Sequence, residues 1–130
     1  MVIITFEAHA TSLDNEAHLA SGWNDVELSE LGEQQARELG ERYKDQTFDA
    51  IFCSDLQRSY KTAELAFGTR LPIIKDERLR ECDYGRLTQV DKKLMDAEKP
   101  KRINEPFPEG ESYKQACARI ESFLIDLRQN

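Results

Sequence analysis

Apolar residues fall into two patterns along the 130 residues of the chain. Three short runs, Val2 to Phe6, Phe48 to Phe52 and Leu71 to Ile74, lack polar alternation, as strands covered on both faces do. Between and after them, apolar positions recur at helical spacing. A first helix is predicted from Ser29 as N-cap to near Lys44, with Gly32, Ala36, Leu39 and Tyr43 on one stripe. A second carries Leu56, Tyr60, Ala63 and Phe67; Ser54 and Gln57 have capping-box spacing and Gly68 closes it. A third runs almost to the C-terminus, with Ser112 and Gln115 as capping box and Ala116, Ile120, Phe123, Leu124 and Leu127 as its apolar face. This alternation predicts an α/β fold, a three-layer α/β/α arrangement around a mostly parallel sheet, in a single domain over residues 1–130.

The segment from Leu87 to Gly110 breaks the alternation. Lys92, Lys93, Lys99, Lys101 and Arg102 cluster there among Pro100, Pro106 and Pro108, so it is expected to be a lid-like excursion over 87–110 with a short helix around Asp91 to Glu98. Elsewhere acid dominates: 18 Lys and Arg stand against 25 Asp and Glu, a formal net charge of −7. Such a field repels nucleic acid and anionic membranes, and an anion must bind at a local positive site. No apolar stretch approaches the roughly 20 residues of a membrane span, and a soluble, cytoplasmic protein is expected. Cys53, Cys82 and Cys117 are odd in number and widely spaced, which suits free thiols.

His9 follows the first apolar run and therefore stands at the carboxyl end of a predicted strand, where open α/β sheets hold ligands. Three other segments are expected to converge on the same crevice: Ser54 to Arg58, Glu81 to Gly85, and the loop at Gly22. Taken in order, Ala8-His9-Ala10, Asn15, Ser21-Gly22-Trp23, Leu28-Ser29-Glu30-Leu31-Gly32, Ser54-Asp55-Leu56-Gln57-Arg58 with Thr62-Ala63, Leu79-Arg80-Glu81 with Asp83-Tyr84-Gly85, and Gly110-Glu111-Ser112 form a series. That series resembles the histidine phosphatase superfamily, which contains phosphoglycerate mutases and many phosphomonoesterases.

The resemblance implies roles. His9 attacks phosphorus and forms a phosphohistidine, because neutral imidazole is a nucleophile near neutral pH. Arg58 grips the phosphate oxygens with its planar fork, Asn15 donates a hydrogen bond, and Gly22 belongs to the binding loop. Glu81 protonates the leaving oxygen, a role for a carboxyl kept protonated by partial burial or by an anion such as Asp83. The ligand is then a small phosphorylated substrate or inorganic phosphate, with no cofactor and no metal, since His9 and the nearby carboxylates lack a ligand spacing.

Two departures qualify this. The family's motif arginine is Ala8 and its glycine is Ala10, which removes a phosphate-binding cation and adds a methyl group. Arg80, Arg86 and the Lys99 to Arg102 cluster are the candidates to compensate. The family's second histidine lies on a strand after the helix matching Ser112 to Gln129, a strand that also pairs with the first; the expectation is an incomplete C-terminal part of the fold, or a homodimer covering the open edge. A non-catalytic phospho-ligand or protein-binding module on the same scaffold, and a phosphoglycerate mutase fragment, are the alternatives.

Overall fold

The computed structural model describes residues 1–129. Regular structure begins with one helical turn, α1 (Leu13–Glu16), followed by α2 (Glu30–Arg42), β1 (Ile51–Cys53), α3 (Gln57–Phe67), β2 (Ile73–Lys75), α4 (Lys92–Glu98) and α5 (Tyr113–Gln129). Strands β1 and β2 pair in parallel, with Ile51 opposite Ile73 and Cys53 opposite Lys75. Parallel neighbours require a crossover, and α3 supplies it. The α/β character and the parallel pairing are thus those expected, with each strand displaced by a few residues toward its C-terminal side.

The first apolar run is a correction. Residues 1–11 adopt no strand, and Val2, Ile3, Ile4 and Phe6 are exposed. A strand exists only through a ladder partner, and none of the described residues pairs with this segment. The neighbour that the family resemblance assigns to it is the strand after α5.

The helix starts follow local chemistry. Ser29 caps α2 by accepting the Gly32 amide at 3.0 Å, and Ser112 with Gln115 forms the reciprocal box at α5. The box expected at Ser54 and Gln57 does not form. Leu56 is the N-cap of α3, Ser54 Oγ accepts from the Leu56 amide, and the free amide of Gln57 donates instead to Asp25 Oδ1 at 2.8 Å, 32 residues away. A carboxylate from the preceding loop therefore does the capping, at the positive end of the helix.

Two clusters hold the site in place. Ala10, Leu28 and Ala36 pack together, and Gly32 lets α2 pass so close to the Thr11 carbonyl that a Cβ there would overlap it. The larger cluster joins Ala20, Cys82, Tyr84, Met95, Phe107 and Ala116, with Tyr84 meeting Phe107 edge to face at 5.1 Å. Met95 and Phe107, each 1% exposed, come from the excursion over 87–110. That segment is anchored as well as charged: the Ala20 amide donates to the Val90 carbonyl at 2.9 Å, and the Lys92 amide donates to the His18 carbonyl. No helix is long and apolar enough to cross a membrane among the described residues.

If this second cluster carries the excursion, Phe107→Ala lowers unfolding free energy by about 3–5 kcal/mol, read from urea titration. Leu124→Ala on the half-open face of α5 changes it by no more than about 0.5 kcal/mol.

Candidate active site

The loop leaving the first apolar run delivers His9 as a half-buried side chain. Its Nδ1 lies 2.6 Å from the Ala10 carbonyl oxygen, which can only accept, so Nδ1 carries the proton and Nε2 keeps its lone pair in the neutral ring. Burial lowers the pKa of His9 below its ordinary value; the Ala10 carbonyl and the Glu81 carboxylate act against this, and the Arg58 charge adds to it. The ring is thus held in one tautomer and in the neutral form. Beside it the Ala10 amide donates to Thr62 Oγ1, whose hydroxyl donates in turn to the Arg58 carbonyl. The methyl group of Ala10 turns into the cluster with Leu28 and Ala36, so the residue that replaces the family's glycine is absorbed by the core.

Arg58, in the first turn of α3, is 3% exposed. Its Nη1 donates to the Asn24 carbonyl and its Nη2 to the Gly22 carbonyl, at 2.9 and 2.7 Å, and Nη2 stands 3.6 Å from Glu81 Oε2. Burial lowers its pKa, and the Glu81, Asp14 and Asp25 carboxylates oppose that shift. Gly22 therefore enters the site through its carbonyl, as the acceptor that aims Arg58. It has φ +53° and sits against the Tyr84 ring, where a side chain would collide. Glu81 accepts a 2.6 Å hydrogen bond from the Tyr84 hydroxyl at Oε1. Asp83, expected as the anion beside it, instead accepts the Gly85 amide.

His9, Arg58, Glu81 and Asn15 line one cleft of about 110 Å³. Asn15 has two parts there: its Oδ1 accepts the Ser12 amide in the cap of α1, while its Nδ2 has no acceptor among the described residues. The far wall is α4 with its C-cap Lys99, which together present Lys92, Met95, Asp96 and Lys99. These positions are spaced i, i+3, i+4 and i+7, one helical face. Of the cations considered as replacements for the family's arginine, only Lys99 reaches the cleft. Arg80 is engaged bidentately by Asp55 at 2.6 Å, Arg86 pairs with Glu109, Lys101 with Glu105, and Arg102 turns to Glu98 and the Pro106 carbonyl.

Lys92, Ser21 and Tyr84 also line the cleft, from the cation cluster and the motif segments that the sequence marked without singling them out, whereas sequence reasoning missed Asp14. Asp14 is buried and accepts from Ser21 Oγ, Asn24 Nδ2 and Gln89 Nε2, tying the loop that supplies Arg58's acceptors. The helical register of Lys92 with Lys99 was a readable signal; the Asp14 contacts, which span up to 75 residues, were not. Cys82 is a packing residue: burial pushes its thiol up to about 12, and its Sγ lies 3.7 Å from the Glu111 carbonyl. His18 is an exposed loop residue with φ +58°. Among the described residues no three His, Cys, Asp or Glu side chains are grouped to hold a metal ion.

Known proteins share this arrangement of chain. A mycobacterial glucosyl-3-phosphoglycerate phosphatase, solved with inorganic phosphate, superposes with a TM-score of 0.76 at 30% identity over 94% of this chain and 60% of its own. The alpha-ribazole phosphatase from Shigella flexneri gives a TM-score of 0.79 at 27% identity, over 93% of this chain and 64% of its own. In sequence, a 2,3-bisphosphoglycerate-dependent phosphoglycerate mutase from Streptococcus equi subsp. zooepidemicus is 43% identical over 98 residues, which is 71% of this chain and 42% of that protein. The chain thus spans about two-fifths of the length of the curated relatives it matches. Residues 4–130 match the histidine phosphatase superfamily (branch 1), and with the cleft built from the ordered motif series, the chain belongs to that superfamily.

Proposed function

We propose that the protein hydrolyses a small phosphomonoester through a phosphohistidine at His9. The observation that carries this reading is the neutral His9 ring, with Nδ1 tied to Ala10 and Nε2 left as the nucleophile, in one cleft with a buried arginine and a carboxyl group. In the first step Nε2 forms a bond to phosphorus while the bond to the leaving oxygen breaks, and Glu81 gives that oxygen its proton. In the second, water attacks the phosphoryl group, Glu81 takes the proton, and the N–P bond breaks to restore His9. Support for phosphate as the ligand comes from the mycobacterial structural relative solved with that ion.

Charge is supplied from an unusual side. Ala8 contributes none, and Arg58 already directs one N–H at each of two backbone carbonyls. Lys92 on α4 and Lys99 at its C-cap bring positive charge to the cleft, with Asp96 holding Lys99 at 3.1 Å. The same weakness favours one second reading, a phosphate-binding module without turnover.

Turnover of an aryl phosphate between about pH 5 and 8, measured beside inorganic-phosphate binding, separates the two. His9→Ala lowers turnover on the order of 10³-fold or more with phosphate still bound; binding without His9-dependent turnover in the parent protein establishes the module instead. The pH dependence follows from the depressed His9 pKa: neutral imidazole persists to lower pH than in a free histidine, so kcat/KM holds its plateau through the ordinary histidine range near 6.5 and falls only below it. A fall centred above that value contradicts the burial-neutralised nucleophile. Lys99→Met weakens phosphate binding about tenfold, the scale of one charge-assisted hydrogen bond, whereas Lys101→Met, paired with Glu105 away from the cleft, leaves it unchanged; isothermal titration reads both.

A further inference from the structure

Glu81 has to be aimed at a leaving group, yet it sits outside every helix and strand, and 43% of its side chain is exposed. Tyr84 and Arg58 meet its carboxylate, and its backbone is gripped from α5. Arg119 donates through Nη1 to the carbonyls of Arg78 and Arg80, at 2.8 and 2.7 Å, and through Nη2 to the carbonyl of Glu81 itself at 2.8 Å. Its remaining donors, Nε and the second Nη2 proton, go to the two carboxylate oxygens of Glu111 at 2.9 Å. All five guanidinium N–H groups are therefore used, three of them on one loop of four residues.

The partners are themselves fixed. Glu111 Oε1 also accepts the Asp83 amide, and the Glu111 amide donates to the Asp83 carbonyl, so the backbone on the far side of Glu81 is held too. Burial works against the charge of Glu111, but the hydrogen bonds from Arg119 and the Asp83 amide outweigh it, and its carboxyl lies below the ordinary value. Trp23 completes the clamp: its Nε1 donates to the same Glu81 carbonyl at 2.7 Å, and its ring lies 4.8 Å from the Arg80 guanidinium carbon and 5.9 Å from that of Arg119. None of these groups lines the cleft.

We propose that Arg119, with Trp23, is a positioning residue for proton transfer: it holds the Glu81 backbone so that the carboxyl meets the leaving oxygen. The proposal rests on the phosphatase reading above. A lysine keeps the charge but has three donors on a rotating head and no planar fork, so it cannot reproduce the pattern. The consequence is specific to leaving groups that need a proton. Phenolate is a poor leaving group and takes its proton from Glu81 as the P–O bond breaks; dinitrophenolate leaves as the anion.

Measuring kcat/KM for phenyl phosphate and dinitrophenyl phosphate tests this, because kcat/KM reports the step in which the leaving group departs. Arg119→Lys is expected to lower the phenyl ester by about 10²-fold and the dinitrophenyl ester by no more than about twofold, the loss that follows from misplacing one reacting group. Trp23→Phe, which keeps an aromatic ring and removes the one donor, gives the same selective loss at about tenfold, and serves where the Arg119 variant does not fold. A parallel fall on both esters, or no change on either, overturns the positioning role. If the parent protein shows no His9-dependent turnover of either ester, the phosphatase reading itself fails and this inference falls with it.

Discussion

A guanidinium buried at the start of a helix must find acceptors, since an unpaired buried charge is among the most unfavourable features a fold can carry. Arg58 finds them in the carbonyls of Gly22 and Asn24, and that requirement shapes the surroundings. The loop from Ser21 to Asp25 is bent to bring the two carbonyls round, and Asp14 fixes it from beneath through Ser21 and Asn24. Asp25 of the same loop caps α3, the helix that carries Arg58. Thr62, one turn further along α3, ties the Arg58 carbonyl to the Ala10 amide and so sets where His9 stands. The His9 backbone neighbour, Arg58 and the loop are thus one hydrogen-bonded unit.

The remaining wall is built from segments that are far apart in sequence but share the core of Tyr84, Met95 and Phe107. Packing of Met95 orients α4, and the helical repeat then puts Lys92 and Lys99 on the cleft side. In a protein of net charge −7 these are local positive groups set against an opposing overall field. Arg119 holds the backbone of the Glu81 loop, which has no ladder among the described residues.

Much of this was legible in the residues, for identifiable reasons. Amphipathic repeats and serine caps placed α2 and α5 because those signals act within one or two turns. The ordered motif series placed His9, Arg58 and Glu81 in one cleft. The failures share a cause, which is long-range pairing. Val2 to Phe6 has strand composition but no ladder partner among the described residues, and its apolar side chains are exposed. Ser54 and Gln57 have capping spacing, yet Asp25 takes the amide from another part of the chain. The excursion over 87–110 read as a lid-like segment from its lysines and prolines, whereas its Met95 and Phe107 are each 1% exposed and join the core. Arg119 gave no local signal of this role, because the carbonyls it holds lie 38 to 41 residues earlier.

The central claim, that His9 is the nucleophile, is tested most directly by trapping the covalent intermediate. The protein is mixed with dinitrophenyl phosphate, quenched in alkali, where phosphohistidine survives, and its peptides are weighed by mass spectrometry. The account predicts an acid-labile phosphoryl group on the His9 peptide and none on the His18 peptide. Release of dinitrophenolate with His9 unmodified throughout the burst, or label carried by another side chain, would contradict it.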